Sequence, residues 1–377
     1  MDEVWILGGT GRTGRAVASA LAGSGAEPVL VGRDPDRLRA AAAEGGHRTL
    51  ALPDVRAMAG AVAREHPAIV LSTVGPFTTS APRLVDACLA AGSDYVDVAN
   101  DLAAVPAVLA RHAEAERAGR TLVTGAGFGV AATESVVVRL CDGSRRAVHV
   151  RTDMLPSMAS DGGLVGEALA GTVLEGLPGV PGGGRFTGRR YRHGRLSAAP
   201  IGGEVRELVT PGGDRVRAGL MPLGELVAAQ RASGAPSVDC ASGAAPSAAA
   251  RTALRLGSGL LHVGPLRRFA TRRLAAVRLP ARPAPRSHSW GHATVTWEDG
   301  TRSEGWLRLP DAQVATVAFA AEVCRRLARG EGRPGAFTPA ALFGPDLATS
   351  VGGEFVDPDG ADDPGQSSEV RPRPTER

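Results

Sequence analysis

Short apolar runs alternate with longer amphipathic stretches over the first 125 residues of the chain. The short runs are rich in Val, Leu and Ile, which favours strands, whereas the longer stretches repeat apolar residues every three or four positions, as helices do. This alternation predicts a parallel sheet, and right-handed crossovers make it doubly wound. We expect strands at residues 3–7, 27–31, 47–52, 68–73, 94–98 and 121–124, and helices at residues 12–22, 34–43, 55–65, 81–91 and 104–118.

The pattern changes after Gly125, and a chain of 377 residues is long enough for a second domain to begin there. Residues 289–296 and 303–309 alternate in polarity around Asp299-Gly300, which predicts a hairpin. The other predicted segments are a helix at residues 131–140, a strand at 147–154, a helix at 311–329, a long loop at 176–203, an exposed connection at 242–250 and a disordered tail at 357–377.

A glycine-rich loop follows the first predicted strand and opens the first predicted helix. Gly9, Gly11 and Gly14 satisfy the G-x-G-x-x-G pattern in that context. Gly9 is expected to permit the tight turn, Gly11 to let a pyrophosphate approach the backbone, and Gly14 to let the helix pack on the strand. Residues 1–125 are thus predicted to be a Rossmann-type dinucleotide-binding domain, and the residues expected to bind the pyrophosphate are Gly8, Gly9, Thr10, Gly11, Arg12, Thr13 and Gly14.

The end of the second strand predicts which dinucleotide is bound. Arg33 stands there, and with Arg12 it can clamp a 2′-phosphate, so NADP is the expected cofactor. Asp34 can contact ribose hydroxyls or cap the next helix, which keeps NAD possible. Asp54, just past the third strand, can meet the adenine amine or cap a helix. The loop after the fourth strand is expected to face the nicotinamide ribose, through Thr73, Val74, Gly75 and Pro76.

Composition removes several classes of function. All 43 basic residues are Arg, so Schiff-base chemistry, a P-loop lysine and the Ser/Tyr/Lys site of short-chain dehydrogenases are excluded. The formal net charge is only +4 and no basic stripe predicts a nucleic-acid partner. No apolar run is long enough for a membrane span, and the eight His residues show no metal-ligand spacing. Four widely spaced Cys residues and an opening strand in place of a signal peptide predict reduced thiols and a cytoplasmic location.

These motifs resemble the saccharopine dehydrogenase-like oxidoreductases, and two late segments, Leu309-Pro310-Asp311 and residues 333–340, look like the trans-acting enoyl reductase branch. The resemblance implies NADPH as reductant and an α+β substrate domain at residues 126–330, with a mostly antiparallel sheet that forms a homodimer. It also implies that residues 331–356 return to the first domain. The residues that carry it are Gly8 to Arg15, Val31-Gly32-Arg33, Thr73 to Phe77, Leu84 to Cys88, Asp94 to Val98 and Gly125 to Ser135.

Few side chains near the predicted crevice can exchange a proton. Asp97 and Asn100 lie at the end of the fifth strand, and Glu134 opens the helix after the sixth. A buried Asp97 can act as a general acid or hold adjacent loops by hydrogen bonds, and Glu134 can be catalytic or can favour the helix dipole. Asp153 can face a substrate or be a charge at a strand end. We therefore take Asp97, Asn100 and Glu134 as candidate catalytic residues.

Together these features predict an NADPH-dependent oxidoreductase that transfers hydride to an activated C=C, C=N or C=O bond of a small or carrier-tethered metabolite, in specialised or lipid metabolism. Two alternatives stay open. One is the oxidative dehydrogenation of an amine or amino acid. The other is a non-catalytic NADPH-binding sensor or partner protein, which the shortage of catalytic side chains favours.

Overall fold

The alternating apolar and amphipathic segments form a parallel sheet with helices on both faces in the computed structural model, which describes residues 2–23, 25–43, 45–141, 143, 145–159, 162–164, 187–245 and 264–357. The order of the first half is β1 (Asp2–Leu7), α1 (Arg12–Leu21), β2 (Ala26–Gly32), α2 (Pro35–Ala43), β3 (Arg48–Ala51), α3 (Val55–Glu65), β4 (Ile69–Ser72), α4 (Phe77–Ala91), β5 (Asp94–Asp97), α5 (Ala104–Leu109), α6 (His112–Ala118) and β6 (Thr121–Val123).

The rest of the described chain forms a second sheet, a separate two-stranded sheet of Gly163–Leu164 and Arg278–Leu279, one further strand of the first sheet, and several helices. Its elements are α7 (Phe128–Leu140), β7 (Ala147–Leu155), β8 (Gly163–Leu164), β9 (Thr187–Arg192), β10 (Arg195–Pro200), β11 (Arg206–Val209), β12 (Arg215–Leu220), α8 (Glu225–Ser233), β13 (Ser237–Ser242), α9 (Gly264–Ala275), β14 (Arg278–Leu279), β15 (Ser289–Trp297), β16 (Arg302–Leu309), α10 (Ala312–Ala328), β17 (Gly335–Phe337), α11 (Pro339–Phe343), α12 (Asp346–Ser350) and β18 (Glu354–Val356).

The first sheet has seven parallel strands in the order β17-β6-β5-β4-β1-β2-β3. From β1 the chain adds β2 and β3 on one side of the sheet and then returns to add β4, β5 and β6 on the other side. The strand order therefore reverses between β1 and β4, which is the switch point of the sheet. Ligands of such sheets bind beyond the carboxyl ends of the strands at this point. The predicted doubly wound architecture is confirmed.

The second sheet has nine strands, most of them antiparallel, along the path β10-β9-β13-β7-β15-β16-β18, with β11 and β12 at its side. Among the described strands of this sheet, β13 and β7 are the one parallel pair. The predicted β15–β16 hairpin is confirmed, as is the strand that became β7. The fold class, a parallel α/β domain followed by an α+β domain with a mostly antiparallel sheet, is therefore as expected.

One hydrophobic core runs through both sheets. It joins residues such as Val4 and Val17 of the first sheet and its helices to Val136 of α7 and Val150 of the second sheet. A second core covers the other face of the first sheet, and a third lies on the outer face of the second sheet beneath β12. α7 and α10 thus lie between the two sheets, and both help to position the crevice described below.

Several predicted boundaries are wrong. α4 begins at Phe77 and not at residue 81, with Pro82 inside it, and the Ser80 hydroxyl donates to the Pro76 carbonyl in its first turn. The predicted helix at 104–118 is two helices, interrupted at Ala110 and Arg111.

The predicted loop at 176–203 is, from residue 187 onward, the hairpin β9–β10, because His193 and Gly194 both adopt the left-handed backbone of a tight two-residue turn. The part of this prediction at residues 176–186, residues 246–250 of the predicted connection and residues 358–377 of the predicted tail lie outside the described residues.

The C-terminal segment contributes to both sheets. β17 pairs with β6 and extends the first sheet, whereas β18 pairs with β16 of the second sheet. α10 packs along the first domain, where the Arg325 guanidinium donates to the Ala20 carbonyl of α1 at 2.9 Å. The chain therefore crosses between the domains more than once, and the proposed boundaries at residues 125 and 330 stay predictions.

Candidate functional site

The glycine loop is held tightly against the first two strands. The Gly8 and Gly9 amides both donate to the Val31 carbonyl, at 2.9 and 3.0 Å. Gly8 has φ +84°, so the left-handed turn is at Gly8 and not at Gly9 as expected from the motif. Gly9 is needed for close packing, because a Cβ there would lie 3.0 Å from Leu30. Gly14 has the expected role, since its Cβ would lie 2.5 Å from the Gly8 oxygen.

Gly11 is the N-cap of α1 and has more space beside it than Gly8, Gly9 or Gly14. A Cβ at Gly11 would meet only the Gly8 oxygen, at 3.2 Å. The first N–H groups of any helix lack partners within the helix, and the first turn of α1 carries no acidic side chain. This end of α1 therefore fits an anionic diphosphate.

The two charged side chains after β2 have different surroundings: Asp34 contacts the next helix, and Arg33 is exposed. The Asp34 carboxylate accepts from the amides of Asp36 and Arg37 at 3.0 and 3.1 Å, so it caps α2. Arg33 and Arg12 are exposed. Because Asp34 is occupied by the helix and the guanidinium groups face solvent, this edge fits a 2′-phosphate better than ribose hydroxyls.

Asp54 has the second of its two predicted roles. Its carboxylate accepts from the Ala57 amide at 2.8 Å and caps α3. A contact of Asp54 with adenine stays a prediction.

The loop after β4 lies against the glycine loop. The Thr73 hydroxyl donates to the Leu7 carbonyl at 2.9 Å, and a Cβ on Gly8 would lie 2.4 Å from that hydroxyl oxygen. The Gly75–Pro76 peptide bond is cis, and the Ser80 hydroxyl donates to the Val74 carbonyl at 2.6 Å. These contacts place the loop at the carboxyl edge of the sheet, where a cofactor is expected.

A crevice of about 190 Å³ opens between the two domains at this edge. Its floor includes α10, where the Gln313 amide donates to the Thr13 hydroxyl of the glycine loop at 2.9 Å. The Thr316 hydroxyl of α10 accepts from the Phe128 amide at the start of α7, at 3.1 Å. The lining contains no titratable side chain and consists of Val98, Ala99, Asn100, Gly127, Phe128, Gly129, Val130, Met154, Met158, Ala312, Gln313 and Thr316 among the described residues.

Asp97 lies just behind this crevice and holds the ends of two strands together. One carboxylate oxygen accepts from the Ala99 amide, the Thr124 hydroxyl and the Gly125 amide, at 3.0, 2.9 and 3.0 Å. The side chain is completely buried, and burial raises the pKa of this carboxyl. Its bonds fix the loops that follow β5 and β6, so its visible contacts are those of a structural group.

Glu134 is also buried, but it faces the C-terminal segment. α7 begins at Phe128 and not at residue 131, so Glu134 lies in the second turn and does not open the helix as predicted. Its carboxylate accepts from the Thr338 hydroxyl, and from the Ala340 amide at 3.0 Å. Burial raises the pKa of Glu134 to about 7. These bonds tie the start of α11 to α7.

Asn100 is the candidate catalytic residue that lines the crevice, and it leads to a residue that the sequence analysis missed. The Asn100 amide nitrogen donates to the carboxylate of Glu225, in the first turn of α8, at 3.1 Å. Glu225 is fully buried, and burial raises its pKa to about 7. The two residues are 125 positions apart and belong to no common motif, so no spacing could have indicated this pair.

Asp153 belongs to a buried chain of charges on the outer face of the second sheet. Its carboxylate accepts from Arg151 at 3.0 Å and pairs with His292 at 3.0 Å, and the other nitrogen of His292 pairs with Glu304 at 3.1 Å. Burial opposes the charge on His292, but the two carboxylates outweigh it and raise the pKa of this histidine. Asp153 therefore faces other side chains of the sheet and does not line the crevice.

Comparison with known proteins agrees with the geometry of the first domain. Residues 4–123 match the family described as saccharopine dehydrogenase NADP binding domain. The match extends along the chain from β1 to β6. That description names NADP, which agrees with the cofactor expected from the sequence; the contact of Arg33 with its 2′-phosphate stays a prediction.

Similarity to whole proteins is more limited. A trans-acting enoyl reductase from Mycobacterium leprae is 30% identical over 166 residues, which cover 41% of this chain and 38% of that protein. One from Mycobacterium ulcerans is 33% identical over 134 residues, which cover 33% of this chain and 32% of that protein. The matches thus span less than half of these curated relatives. Saccharopine dehydrogenase (L-Glu forming) from Saccharomyces cerevisiae has the same fold, with a TM-score of 0.60, 13% identity and coverage of 94% of this chain and 100% of that one.

Within the described residues, no helix has the length and apolar character that a membrane span requires. Within the same residues, no cluster of three or more His, Cys, Asp or Glu side chains has an arrangement that could hold a metal ion.

Proposed function

We propose that this chain is an NADPH-dependent oxidoreductase that transfers hydride to an activated C=C, C=N or C=O bond of a small or carrier-tethered metabolite. The observation that carries the proposal is the crevice itself. It opens at the carboxyl edge of an NADP-binding sheet, and the Gln313–Thr13 bond joins its floor to the glycine loop. A cofactor bound along this edge would therefore reach into the crevice.

The residues of the chain divide the work of binding and orientation. The start of α1 would hold the diphosphate, and Arg33 with Arg12 would hold the 2′-phosphate. The apolar lining, with Val98, Phe128 and Met154, would pack against the nicotinamide ring and the substrate. When NADPH is bound it supplies the hydride, and these side chains fix the face from which a substrate can approach.

The proton that completes the reduction has no donor among the described lining residues. Hydride addition to one atom of a double bond leaves an electron pair on the other atom, which must then gain a proton. We assign this proton to solvent, because the polar lining side chains are Asn100, Gln313 and Thr316 and none is an acid. Asp97 and Glu134 are assigned structural roles on the basis of their hydrogen bonds.

A fluorescence titration with NADPH and NADH tests the binding step. We expect binding at sub-millimolar NADPH and weaker binding of NADH. The variant Gly11→Ala would place a methyl group 3.2 Å from the Gly8 oxygen, a close contact that a shift of a few tenths of an ångström in the loop relieves, so the variant should fold. It should bind NADPH at least about tenfold more weakly because that methyl group meets the diphosphate. Gly60→Ala in α3 is the matched control and should bind like the wild type. Failure of both dinucleotides to bind would overturn the proposal.

Transfer of deuteride from labelled NADPH tests the chemical step. Stereospecific appearance of the label in an enoyl, imine or carbonyl substrate would support reduction. The lack of an acid in the described lining also favours a second function, a non-catalytic NADPH sensor, which predicts tight binding without any transfer. Oxidation of an amine or amino acid is the reverse reaction and would appear as NADPH formation from NADP.

The similarity to trans-acting enoyl reductases favours an enoyl group as the substrate class to test. A carrier-tethered enoyl group in specialised or lipid metabolism is the substrate that we would assay first. The homodimer and the cytoplasmic location stay predictions, and sedimentation of the purified chain would test the first of them.

A further inference from the structure

Asn100 is held by α8 through two hydrogen bonds. The Gly224 amide donates to the Asn100 carbonyl at 3.0 Å, and the Asn100 side-chain nitrogen donates to Glu225 at 3.1 Å. The packing leaves little freedom, because a Cβ on Gly129 of α7 would lie 2.5 Å from the Glu225 oxygen and 2.7 Å from the Asn100 nitrogen. The buried Glu225 carboxyl thus fixes the side chain of Asn100, which lines the crevice.

The chemistry of the two groups decides which atom Asn100 offers to a ligand. An ionised carboxylate only accepts hydrogen bonds, so it must face the amide nitrogen. The Asn100 side-chain oxygen is then the atom left for a ligand, and it is buried without a hydrogen-bond partner among the described residues. A protonated carboxyl can donate as well as accept, so it would allow the amide to turn over.

The position of the crevice indicates which part of the cofactor meets this oxygen. The crevice is lined by residues that follow β5 and β6, in the half of the sheet opposite the glycine loop and β2. In a doubly wound sheet each half holds one mononucleotide, so the half beyond the diphosphate receives the nicotinamide. Its carboxamide carries an N–H2 donor, which is the kind of group that an unpaired amide oxygen recognises.

We propose that Glu225 is a positioning residue that turns the side-chain oxygen of Asn100 toward the nicotinamide carboxamide, and that its protonation releases this arrangement. The proposal rests on the NADPH-binding function proposed above. It adds a residue of the second domain to the recognition of the cofactor, and it makes that recognition depend on pH.

The charged and titratable groups around Glu225 come from four elements. On β7, Arg151 and Asp153 act on the neighbouring Cys240, but they pair with each other at 2.9 Å. β13 presents the Cys240 thiol, 4.0 Å from the carboxylate, and burial raises the pKa of that thiol well above its usual range. α7 presents Gly129 at this point, and the Asn100 loop carries Asp101, which bridges to Leu223. Arg231 is in the last turn of α8, near Tyr191 of β9. Protonation of Glu225 itself is therefore the event to test, and its pKa of about 7 places that event within an accessible range.

The test compares the dissociation constants of NADPH and its 3-acetylpyridine analogue, in which a methyl group replaces the carboxamide N–H2. At pH 8 the wild type should prefer NADPH by about tenfold, the effect of one buried hydrogen bond. At pH 6 the preference should shrink several-fold. Glu225→Gln should show the same preference at both pH values, and Asn100→Ala should show none. Glu134→Gln, a buried acid with a similar pKa away from the crevice, should behave like the wild type.

Two results would overturn the assignment while leaving NADPH binding intact. One is a wild-type preference that does not change with pH, and the other is a preference that survives in Asn100→Ala. Failure of the wild type to bind NADPH at either pH would overturn the proposed function together with this inference. The three outcomes are distinguishable from the same set of titrations.

Discussion

The glycine-loop edge of the first sheet and the outer face of the second sheet use polar groups in opposite ways. At the glycine-loop edge, the groups that can bind a ligand are backbone amides and the exposed guanidinium groups of Arg12 and Arg33. The nearby Asp34 carboxylate accepts from backbone amides of α2 instead. At the second, Arg151, Asp153 and His292 are at most 2% exposed and neutralise each other. The arginines that can meet a ligand are on the surface, whereas the charged groups on the outer face of the second sheet are already paired.

The difference shows that burial and strong charge do not by themselves mark an active site. Perturbed pKa values cluster at functional sites, but structural ion pairs perturb them as well. Here the outer-face pairs raise the pKa of His292, which does not line the crevice, and the crevice lining contains no titratable side chain among the described residues. Variants at the two regions should therefore separate stability from binding.

The largest effect is expected for Asp153→Ala. It leaves Arg151 buried without its carboxylate and removes one of the two partners of His292. Breaking a buried ion pair in this way costs about 3–5 kcal/mol of the free energy of unfolding. Chemical denaturation should reveal that loss, whereas NADPH affinity at a temperature where the variant is folded should stay within about twofold of the wild type.

The matched control for that prediction is Glu207→Ala. Glu207 pairs with Arg215 at 2.9 Å, but the side chains are 51% and 76% exposed. Surface pairs of this kind contribute less than about 1 kcal/mol. Equal losses for the two variants, or a large loss of NADPH affinity in Asp153→Ala alone, would contradict the separation between the regions.

The next effect concerns pH and Glu134. Burial raises the pKa of this carboxyl to about 7, so the folded state holds its proton more tightly than the unfolded state does. Its stabilising contribution is thus complete below the unfolded pKa and is lost as the pH rises to about 7, by on the order of 3 kcal/mol.

Glu134→Gln should remove this part of the pH dependence. Glutamine matches the protonated acid, because it can accept from the Ala340 amide and donate to the Thr338 hydroxyl. Denaturation of both proteins from pH 4.5 to 8 measures the difference, with exposed Glu27→Gln as control. A wild type and a Glu134→Gln variant whose stabilities change in parallel would show that the carboxyl is ionised throughout.

Arg33→Ala should affect the cofactor and leave the fold unchanged. Loss of one charge-assisted contact to the 2′-phosphate is expected to weaken NADPH binding by roughly 10- to 100-fold, while NADH binding stays the same. Arg37→Ala, an exposed arginine one helical turn further along, should leave both affinities unchanged. Equal losses for NADPH and NADH would mean that Arg33 contacts a part common to both dinucleotides.

These regions also differ in how well the sequence predicts them. The glycine loop could be recognised because strand, loop and helix follow one another within about twenty residues, and each glycine has a local steric reason. The β15–β16 hairpin could be recognised for the same reason, from Asp299-Gly300 between two alternating runs. Boundaries were less accurate, as for α4, where Pro82 lies inside a helix that starts at Phe77.

Contacts between distant residues could not be predicted. Asp153 and His292 lie 139 positions apart, and Asn100 and Glu225 lie 125 apart, so only the folded sheet and helices bring them together. The tight turn at His193-Gly194 could not be predicted, because its first residue is a histidine with φ +51° and the sequence does not mark such a residue as left-handed. The sequence therefore predicts that the glycine loop and the loop after β4 lie together at one edge of the first sheet, as they do, but it carries no signal for the Asn100–Glu225 contact.

The smallest effect separates the two predicted roles of Asp54. The carboxylate caps α3 by accepting from the Ala57 amide at 2.8 Å, so Asp54→Ala should lower the free energy of unfolding by about 1 kcal/mol. Asp54→Ser retains an N-cap oxygen and should recover most of that loss. If the cap is the whole role, NADPH affinity is the same in all three proteins. If Asp54 also accepts a hydrogen bond from the adenine amine, both variants should bind NADPH more weakly, although Asp54→Ser remains stable. One carboxylate at the edge of the first sheet would then both cap α3 and contact the cofactor.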